Sequence, residues 1–596
     1  MGLLQKACET YDCMKHLVGV VVDGQEILAP VSHTVTRAGI VITLDQEGKF
    51  ITARTVDKNE PKIAIPVTEK SAGRSSGPCA HPLCDQLGYL SPDIPEKQKL
   101  YLEQLTDWVG SAYTHPKLEP ILHYVQGGTI LHDLKAAGLI EQEKIDAKNE
   151  KLLVGWVVNG FGDKSGPCWK DRDLMECFVQ YYNDLRQTDG HDCFCMVSGD
   201  IESAAEQHPK GIVPKKGNAK LISDQDTNNF TYLGRFTESW QASTVGYLSS
   251  QKAHCALKWL VANQGIRFKE RTFLCWNPQG YKLPAVTGFM ASKKEVKTKS
   301  ANPTEYRQQL RDALYSWKKD LPDDAQAIVA VFDAATSGRL SLTFYGELMA
   351  SDFLERLRDW DESCCWENGG FGIQSPALNK IISWAFGTSR DGKIEVDPRI
   401  LDQQIQRLMA CRIKERSLFP LDIEKALVEK ASHLVLFKKD PKPDKNQRGE
   451  LLFTACAVVR KYRKDHFKEE WDMSLDRENT DRSYLFGRLL AIADTVEHRV
   501  YSARGEEDRE TNAMRMQKAF ALRPFSTWRT LDEKMEPYYK QLPVGLRQYY
   551  RNLVKEIIDK LAPTDNLNQR LDDIYLLGYY HQKAYRSDKT EASAEN

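Results

Sequence analysis

The chain has 596 residues, 28% of them charged and 41% apolar, with a formal net charge of −1. That length exceeds what one hydrophobic core organises and implies two to four domains, with the composition of an ordinary soluble globular protein. The charge balance excludes a global field that would draw the molecule to nucleic acid or membrane, so any polyanion site has to be a local patch.

The N-terminal stretch MGLLQKACETYDCMKHLVGVVV is broken by Lys6, Asp12, Lys15 and His16, which does not fit an export signal. Lys6 also stands where a myristoylation pattern needs Ser or Thr. No run is apolar enough to span a bilayer. Fourteen scattered cysteines, many in apolar runs such as those at Cys255 and Cys456, read as reduced, mostly buried thiols of a cytoplasmic protein.

Taken in chain order, Ile40–Leu44, a turn ending at Gly48 and Lys49–Val56 predict a β-hairpin. The Gly/Ser-rich segment EKSAGRSSGP (Glu69–Pro78) reads as a loop. Lys97–Tyr113 predicts a helix with Leu100, Leu105 and Val109 inside. Asp192–Asn229 lacks periodicity and is rich in Lys, Gly and Asn, the marks of a long functional loop. Ala242–Gln264 returns to helix.

A second hairpin is expected from Ala327–Phe332 and Leu340–Tyr345, followed by a helix over Asp352–Trp360. From Ser375 onward helices dominate, interrupted by KKDPKPDKNQRG, where Pro441 and Pro443 bar regular structure. One helix reads from Leu485, Leu489, Ile492 and Val496, with Arg477, Arg482, Arg488 and Arg499 before it and along its outer faces. A last one reads from Leu567, Leu571, Ile574 and Leu577 into LLGYYHQ. The fold class is α+β: a mixed N-terminal body over 1–265, a second α/β segment over 266–374 and a helical C-terminal bundle over 375–596.

Motifs for catalysis are few. GDKSG (Gly162–Gly166) lacks P-loop spacing, and neither HExxH nor GxSxG occurs. His132-Asp133 and His191-Asp192 resemble metal-dependent phosphohydrolase pairs, which keeps a nuclease as the alternative reading; such a site needs further ligands. Cys79-x-His81-x-x-Cys84 and His191-x-Cys193-x-Cys195 group soft ligands, but without the common two-residue cysteine spacing, so packing is expected rather than zinc. No catalytic residue, metal or cofactor is assigned.

Basic segments are the better candidates for a site. Lys70 and Arg74 stand among small residues, with Ser75 and Ser76 as donors to phosphate or a base edge. HPKGIVPKKGNAK supplies Lys210, Lys215, Lys216, Asn218 and Lys220, and Asn228 and Asn229 follow; amide side chains read base edges or minor-groove acceptors. Lys293–Lys299 is a further lysine-rich run. Lys438, Lys439, Arg460 and Arg463, then Arg477 and Arg482, offer cations for backbone phosphates. Tyr462, Tyr549, Tyr550, Tyr579 and Tyr580 have helical spacing, more often core than stacking platform.

VITLDQEGKF, CMVSGD…HPKGI, ALKWLVANQG, SGRLSLTFY, SLDRENTDRSYLFGRLLAIAD and YLLGYYHQ occur in this order over most of the chain. In that order and spacing the chain resembles the large subunit of the type I-C CRISPR surveillance complex, of the Cas8c/Csd1 type in Cascade assemblies. The resemblance implies a non-catalytic subunit of an RNA-guided complex. Its N-terminal part would sit near the 5′ handle of the guide RNA and inspect the short motif beside the double-stranded DNA target. Its C-terminal part would support the displaced strand. The implied partners are the guide, the target DNA, backbone and guide-capping subunits, a small subunit and a recruited helicase–nuclease, with no membrane. PKKGNAK departs from the commoner family pattern, in which a small-residue run is expected. The resemblance also implies that residues 473–596 can be made separately as the small subunit, starting at Met473.

Overall fold

The computed structural model describes residues 2–74, 77–223, 233–286, 300, 302–334, 336, 338–433, 447–506, 509–563 and 565–585. The chain divides into two compact units, Met1–Leu283 with Pro322–Ala350, and Pro284–Leu321 with Ser351–Asn596. Residues 266–374 contribute strands to the first and helices with one short hairpin to the second. The fold is α+β, with the larger sheets toward the N-terminus and mostly helices toward the C-terminus.

In the first unit, helix α1 (Leu3–Cys13) precedes strands β1 (His33–Thr36), β2 (Ile40–Leu44), β3 (Phe50–Thr55) and β4 (Ile63–Pro66). The predicted hairpin is β2 and β3, antiparallel with Ile40 opposite Thr55. Gly48 closes its turn at φ +82°, where a side chain would also press on the Pro120 carbonyl. Short helices α2 (Glu69–Gly73) and α3 (Leu87–Leu90) lead into α4 (Pro95–Val109), α5 (Leu118–Gly127) and α6 (Ile130–Ala136). Strands β5 (Val154–Val158) and β6 (Gly166–Pro167) complete the sheet β3–β2–β5–β6, with β2 and β5 parallel.

Helix α4 is the one expected near Lys97–Tyr113, but its inward face differs from the expected stripe. Tyr101, Leu105 and Trp108 are buried, and Leu100 is 36% exposed. The two aromatics bring more apolar area inside than Leu100 and satisfy their polar tips. Tyr101 donates to the Leu83 carbonyl at 2.7 Å, and Trp108 donates to that of Tyr113 at 3.1 Å.

Helix α7 (Arg172–Asp189) is followed by β7 (Asp192–Phe194) and β8 (Ile201–Ser203), an antiparallel hairpin. The stretch Asp192–Asn229 is therefore not wholly irregular. Its strands are three residues long with Phe194 and Ile201 turned to solvent, so no inward alternation marks them in the sequence. After α8 (Ser239–Ala242) and α9 (Tyr247–Gln264), strands β9 (Ile266–Phe268), β10 (Arg271–Trp276), β11 (Gln326–Asp333) and β12 (Ser341–Met349) form an antiparallel sheet ordered β12–β11–β10–β9. One core gathers Ile42, Trp108, Trp156 and Phe178 around the first sheet. The other packs α1 and α9 on the second sheet through Ala7, Tyr11, Ala256, Leu260 and Ile328.

The second unit begins with α10 (Pro303–Lys318) and α11 (Ala350–Ser363), then two small hairpins, β13 (Trp366–Glu367) with β14 (Ile373–Gln374) and, after α12 (Leu378–Phe386), β15 (Thr388–Arg390) with β16 (Lys393–Glu395). Helices α13 (Pro398–Ile413), α14 (Leu421–Ala431), α15 (Gln447–Phe467), α16 (Arg482–Ala503), α17 (Asn512–Leu522), α18 (Pro524–Tyr539), α19 (Val544–Leu561) and α20 (Tyr575–Ala584) follow. Helix α16 is the hub, packed by α17, α18, α19 and α20. It buries Leu485, Leu489, Ile492 and Val496 as expected, but also Tyr484, Phe486, Leu490 and Ala493, so it has no solvent-facing half. Leu571 and Ile574 are buried outside any helix, and α20 starts only at Tyr575.

Candidate nucleic-acid interface

Helix α2 carries the first basic segment. Ser71 N–H donates to Thr68 Oγ1 at 3.1 Å and Thr68 N–H donates to Ser71 Oγ at 3.0 Å, a reciprocal cap that turns Glu69–Gly73 into helix where a loop was expected. Lys70 is exposed on it. Arg74, at its end, is not a free cation. Its fork holds Asp85 at 2.6 and 2.9 Å and donates to the Cys79 carbonyl at 2.7 Å, over the face of Tyr89. Ser75 and Ser76 lie outside the described residues.

Glu69 anchors the same helix to the second segment. Its carboxylate pairs with Arg186 and accepts from the N–H groups of Glu206 and Gln207 at 3.2 and 3.3 Å. Burial pushes this carboxyl up to about 7, against the pull of those donors. Gly73 passes so close to Gln207 that a β-carbon there would overlap its side-chain amide oxygen. The two segments singled out in the sequence thus meet.

Beyond Gln207 the chain folds into a compact loop. Lys210 bridges Lys220 strand-fashion, Gly211 N–H donates to the Ala219 carbonyl at 3.0 Å, and Pro214–Lys216 form a turn of 3₁₀ helix. Gly211 has φ +80° and approaches the Gly217 backbone, a conformation that favours glycine. Lys216 lies 3.2 Å from Glu270, and Asn218 is exposed. The Lys220 backbone pairs with the β11–β12 turn at Gly338 and Leu340. Lys215 belongs to the 3₁₀ turn, its side chain lying outside what is described, and Asn228 and Asn229 are outside the described residues altogether.

Between α2, this loop and α9 lies a cavity of about 350 Å³. Its cations are Lys62, Lys210 and Lys258, and its carboxylates are Glu26 and Glu69. Burial, with Arg74 nearby, lowers Lys210 from its ordinary value; burial, with Lys210 adding to it, lowers Lys258. Lys62 and Lys258 were not among the residues predicted from the sequence. The signal for Lys258 is a lone lysine inside the apolar run CALKWLV on α9.

Among the described residues, the arginines expected in the helical unit, Arg460, Arg463, Arg477, Arg482 and Arg488, are used internally. Arg460 donates to the carbonyls of Trp471 and Glu362 at 2.5 and 2.8 Å. Arg463 binds Asp573 (Nε to Oδ1 2.8 Å), and Arg477 pairs with Glu556. Arg482 donates to the Gln569 and Arg570 carbonyls at 2.6 and 2.9 Å. Arg488, expected on an outer face, is buried and donates to Gln582 Oε1 at 3.0 Å. In each case the guanidinium ties distant segments together, a use that sequence spacing does not reveal. Lys438, Lys439 and the run Lys293–Lys299 lie outside the described residues. Tyr462, Tyr550 and Tyr579 are buried, as helical spacing suggested.

The His-Asp pairs have local partners. His132 lies 3.5 Å from Glu143, and Asp133 accepts from Tyr124 and Thr129. His191 stacks on Trp240 at 5.1 Å, and Asp192 opens β7. His81 Nδ1 is 2.9 Å from Ser71 Oγ, and Cys195 Sγ accepts from Gly246 N–H at 3.2 Å. Among the described residues no group of three or more His, Cys, Asp or Glu side chains is arranged to hold a metal ion.

The family model described as CRISPR-associated protein (Cas_Csd1) matches residues 9–586. The chain belongs to the Csd1 family. No curated protein matches it. Membership makes it a CRISPR-associated protein of the Cascade type, and the Csd1 match runs through both units, taking in α2, the 207–220 loop and the helical hub. Among the described residues of this Csd1 protein, no helix is long and apolar enough to cross a membrane.

Proposed function

We propose that the chain is the non-catalytic large subunit of an RNA-guided type I-C Cascade complex. In this reading it inspects the short motif beside a double-stranded DNA target, helps hold the 5′ handle of the guide and stabilises the opened target for a recruited helicase–nuclease. Backbone, guide-capping and small subunits complete the particle. Base pairing with the guide reads most of the sequence, so the protein needs only a local cationic surface, compatible with a net charge of −1. The observation that carries the reading is the meeting of two separate basic segments, at Lys70 and at Lys210–Lys220, beside one cation-bearing cavity in a chain of this family.

The test is capture of target duplexes by the assembled particle, with the bases beside the target varied and Mg²⁺ or Mn²⁺ present. The reading predicts capture that depends on those bases and no strand cleavage until the helicase–nuclease is added. Cleavage lost on His191→Ala would instead establish the nuclease reading.

A further inference from the structure

We infer that the cavity between α2, the 207–217 loop and α9 is a binding site for a phosphate group, held by Lys210 and Lys258. The charges of its wall do not balance. Glu26 is taken by Lys62 at 2.6 Å, and Glu69 is taken by Arg186 and two backbone N–H groups. His33 and His208 also line it, and burial holds both down at about 4, so they are neutral at pH 7. Two half-buried ammonium groups remain, and neither pairs with a carboxylate among the described residues.

Neighbouring like charges away from bulk water are costly unless an anion joins them. Burial first, then a nearby cation (Arg74 for Lys210, Lys210 for Lys258), lowers both lysines accordingly. A tetrahedral phosphate suits two flexible ammonium donors, which act as point charges rather than as a planar fork. Gly73, Gly211 and Gly217 keep β-carbons out of the wall, and Ile27, Val35, Val67 and Ile212 offer apolar sides for the sugar or base that such a phosphate carries. The volume accommodates a nucleotide unit. Only the source of the phosphate, a nucleic-acid strand rather than a free ion, rests on the proposed function.

The experiment is lysine labelling of the full-length chain at pH 7 with pyridoxal 5′-phosphate and borohydride, mapped by mass spectrometry. The expected result is preferential labelling of Lys210 and Lys258 over exposed Lys99. Inorganic phosphate should suppress it severalfold, and a short single-stranded oligonucleotide should do so at lower concentration. Suppression by phosphate alone supports the cavity site while denying the nucleic-acid source. Equal labelling of all three lysines, or no effect of inorganic phosphate, overturns the site, even if the oligonucleotide shields the surface. Lys258→Gln should abolish phosphate protection at Lys210, and Lys258→Arg, which keeps the charge, should retain it. Loss in both variants with an unchanged melting curve also overturns the assignment.

Discussion

Gly487 on α16 faces the carbonyl of Tyr575 on α20, and the gap leaves no room for a β-carbon. The relation is reciprocal, because Gly578 on α20 faces the carbonyl of Tyr484 on α16 in the same way. Two glycines at one crossing let the helix backbones approach, which seats Tyr575 and Tyr579 in the bundle and helps bury most of α16. Gly487→Ala or Gly578→Ala should force the helices apart and lower stability by roughly 1–3 kcal/mol, as overpacking does. Denaturant unfolding followed by circular dichroism checks this, and an unchanged midpoint in both variants would contradict it.

Asp494, also on α16, is fully buried and accepts from Thr511, Tyr579 and Lys583, each at 2.5 Å. Burial alone would raise its carboxyl, but Lys583, Arg448 and these donors outweigh it and hold the group at about 2, against an ordinary 3.8. A depressed carboxyl stabilises the fold above its unfolded value and loses that contribution as pH falls through the folded one. The bundle should therefore lose roughly 2 kcal/mol between about pH 4 and pH 2 on account of this group. Stability measured against pH should show that loss in the native chain and a flatter slope in Asp494→Asn.

Arg74 and Lys70 should behave differently although they are neighbours. Asp85 is wholly buried, and in Arg74→Ala it keeps the N–H groups of His81 and Gln86 but loses the guanidinium that neutralises it, at a cost of about 3 kcal/mol. Lys70 is exposed, and Lys70→Ala should leave the melting temperature unchanged. In the assembled particle Lys70→Ala should weaken DNA capture with a shallower salt dependence. A melting curve and a capture assay on both variants separate the two effects. Equal destabilisation would contradict the distinction.

Much of the fold was legible where local chemistry decides it. The β2–β3 hairpin follows from β-branched residues around Gly48, and β11–β12 follows from the same pattern around Gly338. The roles of the arginines were not legible, because their partners lie far along the chain. Arg463 is 110 residues from Asp573, and Arg460 is 98 from Glu362. At the candidate site the two basic segments could be named separately. Their meeting depends on Glu69 reaching residues 137 and 138 positions away, and Lys258 is hidden in a helix that reads as core.

Met473 stands between α15 and α16, ahead of the five helices that pack around the Gly487–Gly578 crossing. We propose that translation also starts there, giving a product of about a fifth of the chain. Met473→Leu should remove that product on an immunoblot against the C-terminus and leave the full-length chain. Persistence of the product would assign it to proteolysis or to another start.

The most direct measurement is target capture by particles reconstituted with and without this chain, all other subunits and the guide held fixed. The account predicts that capture of a motif-bearing duplex collapses without the chain, returns when it is added back and proceeds without strand breakage. Undiminished capture in its absence, or phosphodiester cleavage by the purified chain through its own side chains, would contradict it.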